Sequence, residues 1–132
     1  MTTRRILLVD DQPHIVRVIR LALEGRGYTV QTASNGEQAL SKLREERFHV
    51  VITDIEMPRL DGRALCEAMH REFPGPQPLT LVITARPELA AREWVHFLPN
   101  TELLEKPLSL RRLNARLDEH FATGPVKGAP CA

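Results

Sequence analysis

Cysteine and aromatic residues are scarce in this chain. Its 132 residues include two cysteines, one tryptophan, one tyrosine and four phenylalanines. Cys66 and Cys131 have neither the spacing of a metal site nor that of a redox motif. Cys66 lies in a helical pattern and is predicted to be a small core or boundary residue. This cysteine usage fits a reducing, cytoplasmic compartment.

An excess of charge of one sign and long apolar runs are also missing. Lysine and arginine total 18 against 17 acidic residues, a formal net charge of +1. That balance gives no electrostatic case for nucleic acid or an anionic membrane as a partner of this chain alone. No apolar run approaches the roughly 20 residues that a membrane-spanning helix needs, and the N-terminus lacks the features of a signal peptide. We therefore expect this protein to be cytoplasmic and not to contact a membrane.

Apolar runs alternate with helical patterns along the whole chain. This alternation predicts βαβ units and a parallel sheet with helices on both faces. The segment 122–132 is rich in glycine, proline and alanine, so it is predicted to be a flexible tail or the start of a linker. Strands are predicted at about residues 5–9, 28–33, 48–53, 79–83 and 102–104, and helices from about Pro13, Asn35, Asp61, Glu88 and Ser109.

Polar side chains follow four of the predicted strands. Asp10 and Asp11 follow the first, Asp54 the third, Thr84 the fourth and Lys106 the fifth. In open α/β sheets, ligands bind in the crevice outside the carboxyl ends of the strands. We therefore expect these side chains to converge at one edge of the sheet.

Three carboxylates at one edge require a compensating cation. Two unit charges ~4 Å apart repel by ~4 kcal/mol at an effective dielectric constant of about 20. Oxygen ligands with room for water suit Mg²⁺. Asp54 stands alone at the end of a central strand, so it is the best candidate for a nucleophile that forms an acyl phosphate. Lys106 and the Thr84 hydroxyl would then bind phosphoryl oxygens.

Each of these residues also has an ordinary structural explanation. Asp11 precedes a predicted helix and is suited to cap it, Thr84 is suited to cap the next helix, and Lys106 has the character of a solvated surface lysine. The coincidence of all of them at successive strand ends favours a shared pocket.

The motifs at these strand ends resemble the receiver domain of bacterial two-component response regulators, over about residues 4–121. The resemblance implies a flavodoxin-like, doubly wound (βα)5 sandwich with a five-stranded parallel sheet in the order 2-1-3-4-5. The matching segments are residues 6–11, residues 54–62, Thr84-Ala85 and Lys106-Pro107.

The same resemblance implies a role for each candidate residue. Asp54 is the expected phosphoacceptor, Thr84 the switch hydroxyl and Lys106 the phosphate-binding lysine. The Lys106-Pro107 peptide bond is expected to be cis. The expected Mg²⁺ ligands are Asp10, Asp11, Asp54 and the backbone carbonyl of Glu56.

The implied function is a phosphorylation-dependent signalling switch. A sensor histidine kinase or a phosphotransfer protein is the expected donor. An unknown downstream protein is expected to contact residues of about 88–121. Whether the protein forms a homodimer is left open. Mg²⁺-dependent self-phosphorylation and autodephosphorylation are expected, without turnover of an independent substrate.

Two positions depart from the pattern of that family. An aromatic residue that swings inward on activation usually lies three residues before the lysine, where this chain has Leu103. Pro99-Asn100 also replaces the usual pair of small residues before the fifth strand. The phosphate-binding parts are intact, so the departures concern how phosphorylation is read out.

Glu56 and Arg86 have opposite charges and follow Asp54 and Thr84, respectively, by two residues. We hypothesise that they pair across the site and hinder attack by water on the phosphorylated protein. An incidental surface contact is the alternative, since exposed ion pairs contribute only ~0–1 kcal/mol.

Two other function classes stay open. One is a receiver fold that binds a partner without phosphorylation, which the loss of the aromatic at Leu103 favours. The other is a Mg²⁺-dependent phosphohydrolase of the haloacid dehalogenase type. Those enzymes normally have a second aspartate two residues after the nucleophile, where this chain has Glu56.

Overall fold

Parallel strands form one sheet in the order β2-β1-β3-β4-β5, as the resemblance implies. The computed structural model describes residues 4–86 and 94–122. The third strand is central, and all five of its residues are buried. The strands are β1 (Arg5–Val9), β2 (Thr29–Ala33), β3 (Val50–Asp54), β4 (Leu79–Thr84) and β5 (Thr101–Glu105).

Helices cover both faces of this sheet. They are α1 (Pro13–Glu24), α2 (Gly36–Glu45), α3 (Gly62–Glu72) and α4 (Leu110–Ala122), with a short 3-10 helix at Val95–Phe97. None of the helices within the described ranges is long and apolar enough to cross a membrane. Of the helix predicted from about Glu88 to Phe97, residues 88–93 lie outside the described residues, and the described end is the 3-10 helix.

The core has two main layers, because alternate strand residues point to opposite faces. On one face, β-strand residues such as Leu8 and Ile52 pack against α1 and α4. On the other face, Leu7 and Val51 pack against α2 and α3. Cys66 is fully buried and is therefore a core residue, the first of the two predicted alternatives.

Polar side chains cap the N-termini of three helices at the positions that the sequence predicts. The side chains of Asn35 and Asp61 accept hydrogen bonds from backbone N–H groups in the first turns of α2 and α3. The Ser109 hydroxyl accepts one from the Arg112 N–H at 3.2 Å. Each bond satisfies a donor that the helix leaves unpaired.

The conformation of Asn100 explains part of why Pro99-Asn100 can replace the family's usual pair of small residues before the fifth strand. Its φ of 54° lies in the left-handed region, which asparagine tolerates better than most residues. Its carbonyl accepts from the Thr80 N–H at 2.8 Å, and its side-chain amide donates to the Gln77 carbonyl at 3.2 Å. Asn100 therefore forms the turn that leads into β5.

Candidate functional site

The carboxyl ends of β1 and β3 bring three aspartates together. The two strands are neighbours, with Val9 opposite Thr53, so the residues that follow these positions meet at the same edge. Carboxylate oxygens of Asp10, Asp11 and Asp54 all lie within 4.8 Å of one another. Asp10 and Asp54 are buried, whereas Asp11 is exposed. The predicted acidic cluster is therefore present and opens to solvent on the Asp11 side.

Backbone amides hold the two buried carboxylates. The Gln12 N–H donates to Oδ1 of Asp10 at 2.9 Å, and the Glu56 N–H donates to Oδ1 of Asp54 at 3.3 Å. The residue that caps α1 is Gln12, without a side-chain hydrogen bond. Helix capping therefore does not explain Asp11, whose carboxylate belongs to the cluster.

Lys106 reaches the same cluster from the end of β5. Its Nζ lies 2.8 Å from Oδ2 of Asp54, and its side chain is 32% exposed against 4% for Asp54. The Lys106-Pro107 bond is cis, as expected from the resemblance. Lys106 is therefore a site residue and not a freely solvated surface lysine.

Thr84 ends β4 beside this pair. Its backbone carbonyl accepts from the Lys106 N–H at 2.8 Å, which fixes the two strand ends against each other. Its side chain is buried, and its Oγ accepts from the Arg86 N–H at 2.9 Å. Among the described residues, the Thr84 hydroxyl has no acceptor for its own hydrogen. That hydrogen therefore stays available for a further hydrogen bond.

Burial and charge shift two pKa values at the site. Burial raises the pKa of Asp10 above its ordinary value, and the negative charge of Asp54 adds to this, while the bond from Gln12 opposes it. Partial burial alone would lower the pKa of Lys106, but the hydrogen bond and the charge of Asp54 outweigh it and raise the pKa. Lys106 is thus held in its charged form.

The donor set fits a small divalent cation. Three carboxylates offer hard oxygen ligands close enough together to bind one ion, and the exposed side leaves space for water. Asp10, Asp11 and Asp54 would hold the ion. Glu56 contacts Asp54 through its backbone N–H, and its side chain is exposed.

The hypothesised pair of Glu56 and Arg86 is not formed. Both residues are exposed, and the described part of the chain contains no ion pair between them. Each contributes its backbone N–H to the site instead, to Asp54 and Thr84 respectively. The prediction of a salt bridge was therefore wrong, because the register of the loops determines the backbone contacts but not where long, solvated side chains point.

Gly62 has a role that the sequence analysis did not assign. A Cβ at this position would collide with the backbone carbonyl of Asp54 and with the Cα of Ile55. The Gly62 N–H also donates to the Ile55 carbonyl at 2.8 Å. The start of α3 thus packs directly against the loop that carries Asp54. The signal in the sequence is the Asp61-Gly62 dipeptide, which predicts a helix start but not the contact with Asp54.

Comparisons with known proteins identify the family of this chain. The family model described as "Response regulator receiver domain" matches residues 6–118. The alkaline phosphatase synthesis transcriptional regulatory protein PhoP of Bacillus subtilis is 35% identical over 117 residues, which cover 86% of this chain and 47% of that protein. The chain therefore spans about half the length of the curated relatives it matches.

Solved structures share the fold. The chemotaxis protein CheY4 of Vibrio cholerae has a TM-score of 0.81 at 27% identity, covering 89% of this chain and 98% of that chain. The response regulator protein TrrA of Thermotoga maritima, solved in complex with Mg(2+)-BeF, has a TM-score of 0.77 at 27% identity, with coverages of 89% and 98%.

Proposed function

This chain belongs to the response regulator receiver domain family, and from that premise we propose that it is a phosphorylation-dependent signalling switch. Asp54 is the phosphoacceptor. One observation carries the proposal: Asp54, a buried carboxylate, is contacted by Lys106 at 2.8 Å and lies within 4.8 Å of two further carboxylates. A receiver that only bound partners would have no need for this charge arrangement.

The phosphoryl donor is a phosphohistidine of a sensor histidine kinase or a phosphotransfer protein. A carboxylate oxygen of Asp54 forms a bond to phosphorus while the donor's N–P bond breaks, and its electron pair returns to the imidazole nitrogen. The protein mainly positions the groups and stabilises charge on the phosphoryl oxygens. Lys106 is placed to bind one of these oxygens and the Thr84 hydroxyl another.

Mg²⁺ is the proposed cofactor, held by Asp10, Asp11 and Asp54, with the Glu56 carbonyl as a further ligand. When bound, it supplies positive charge that offsets the acidic cluster and the incoming phosphoryl group. Support comes from the oxygen donor set of this chain and from the Mg(2+)-BeF complex of the TrrA relative.

We propose no turnover of an independent substrate. The expected sequence of events is self-phosphorylation from a donor, a change at the surface formed by residues of about 88–121, and slow loss of the phosphoryl group. A downstream protein, in the cytoplasm, would respond to that change. Steady release of phosphate from a phosphomonoester would instead support a phosphohydrolase.

Intact-protein mass spectrometry tests the proposal. The protein is incubated with Mg²⁺ and acetyl phosphate, and the expected result is one added phosphoryl group that hydroxylamine removes. Asp54→Asn should abolish the addition, because the amide cannot form an acyl phosphate. Asp118→Asn is the matched control: Asp118 pairs with Arg26, away from the site, so this variant should be phosphorylated normally. Absence of any modification of the wild-type protein would leave phosphorylation-independent binding as the better explanation.

A further inference from the structure

An open groove of about 390 Å³ lies between α1 and the end of β2, beside the acidic cluster. Its volume falls within the range of pockets that hold small molecules, roughly 300–1,000 Å³. Asp10 and Asp11 form one end of the groove, whereas Asp54, Thr84 and Lys106 do not line it. The groove is therefore a neighbour of the phosphoryl-binding site and not a part of it.

Two arginines of α1 line the groove without an acidic partner. Arg17 and Arg20 are three residues apart and so lie on the same face of the helix. Neither forms an ion pair within the described residues, whereas Arg44 and Arg116 both pair with glutamates. The groove thus has a negative end at the acidic cluster and positive groups along α1.

Arg20 also has a donor that folding leaves unused. Its Nε is buried and meets no hydrogen-bond acceptor in the part of the chain that the structure describes. A buried donor without an acceptor is unfavourable for stability. Stability alone therefore does not explain an arginine at this position, and an acceptor that binds in the groove does.

We propose that the groove binds a small organic oxyanion, whose phosphate or carboxylate head contacts Arg17 and Arg20. The planar guanidinium group matches such heads, because it can donate two parallel hydrogen bonds to them. The partly buried Val16 and the exposed Leu21 add apolar surface to the same groove. The ligand would therefore carry a short apolar body behind its charged head.

Mg²⁺ in the acidic cluster would strengthen this binding. In the metal-free protein, the charges of Asp10 and Asp11 repel an anion in the groove, and a bound cation removes that repulsion. The Asp10 N–H donates to the Ala33 carbonyl at 3.1 Å, so the acidic end is fixed to the strand that lines the groove. Because such coupling is reciprocal, the ligand would raise the affinity for Mg²⁺ by the same factor. This coupling, unlike the groove itself, rests on the proposed function.

Phenylphosphonate is the probe for this groove, because its P–C bond prevents phosphoryl transfer to Asp54. Titration of the full chain with Mg²⁺ present should give saturable ¹H–¹⁵N NMR shifts at residues 16–21 and 32–34. Benzoate compares a carboxylate head with the phosphonate. Benzyl alcohol is the uncharged analogue and should not bind.

Substitutions of the arginines test the contacts. Arg20→Gln should weaken binding of phenylphosphonate by about tenfold or more, because it removes a charged donor. Arg20→Lys should retain part of the affinity, and Arg17→Gln should lose several-fold. Arg111→Gln, which changes an exposed arginine of α4, is the control and should bind normally. Urea denaturation should find Arg20→Gln as stable as the wild type, since Nε has no bond to lose.

Three results would overturn the inference and leave the proposed function intact. They are shifts confined to the surroundings of Asp54 and Lys106, equal binding of benzyl alcohol, and unchanged affinity in Arg20→Gln.

A titration with a chelator tests the coupling separately. Binding of phenylphosphonate should be about five- to tenfold weaker than with Mg²⁺. Equal affinity in both conditions would overturn the coupling. A titration with Mg²⁺ alone, followed at the amides of Asp10, Asp11 and Asp54, tests the metal site. Its failure would overturn the Mg²⁺ part of the proposed function, and the chelated titration would still decide whether the groove binds the anion.

Discussion

Nζ of Lys106 lies 2.8 Å from Oδ2 of Asp54, across 52 positions of sequence. The carboxylate is almost fully buried, and two further carboxylates are within 4.8 Å of it. An ammonium group at this position offsets the repulsion within the acidic cluster and is also placed to contact a phosphoryl group. One contact thus contributes to both the stability and the chemistry of the site.

Removing the Lys106 ammonium should destabilise the metal-free protein. We expect Lys106→Ala to lower the free energy of unfolding by about 1–3 kcal/mol, because Asp54 stays buried without its cation. Urea denaturation in the presence of a chelator measures this. Mg²⁺ should restore more stability to Lys106→Ala than it adds to the wild type. The double variant with Asp54→Ala should recover part of the loss, and an unchanged single variant would show that the contact contributes nothing.

Alanine at Gly62 should be costly, whereas alanine at Gly25 should not. A Cβ at Gly62 collides with backbone atoms of Asp54 and Ile55, so Gly62→Ala should destabilise by about 1–3 kcal/mol and slow phosphorylation. Gly25 has a right-handed helical φ of −62°, and its Cβ would meet only carbonyls 3.4 and 3.5 Å away. Gly25→Ala should be neutral or stabilising, by up to about 1 kcal/mol. Equal effects of the two substitutions would contradict the close approach of α3 to Asp54.

His120 should make stability depend on pH. Burial lowers its pKa below the ordinary value of 6.5, and the nearby charge of Arg116 adds to this, while Glu102 opposes it. The unfolded chain therefore binds more protons at this position than the folded one, so stability falls as the pH drops from 6.5 towards the folded pKa. Thermal denaturation across this range should show a shallower acid loss in His120→Gln. His14, which is exposed and does not contribute to the pKa shift of His120, is the control: His14→Gln should retain the loss that His120 causes.

Substitutions at Glu56 and Arg86 should act independently. The two side chains are exposed and form no ion pair in the described residues, so no coupling is expected between them. Dephosphorylation of the phosphorylated protein can be followed in Glu56→Ala, Arg86→Ala and the double variant. The effects on the logarithm of the rate should add. A marked departure from additivity would restore the original hypothesis of a pair.

The sequence by itself determined the strands and helices and the polar residues at the carboxyl edge of the sheet. Apolar runs that stop at Asp10, Asp54, Thr84 and Lys106 predicted both the parallel strands and the residues at their carboxyl ends. This succeeded because a strand buried on both faces must be apolar along its length, so a polar residue marks its end. The strand order came from the resemblance, and the register confirms it.

Only the tertiary structure decided the contacts that depend on packing between distant segments. Examples are the packing of Gly62 against Asp54 and the packing of Leu103 against the buried cluster that contains Trp94. The absence of an ion pair between Glu56 and Arg86 in the described residues is another. Local sequence patterns predict which residues are buried, because burial follows from hydrophobicity and from the periodicity of apolar residues along a strand or helix. They do not record which buried surfaces meet or where a solvated side chain points, because both depend on close packing between elements far apart in sequence.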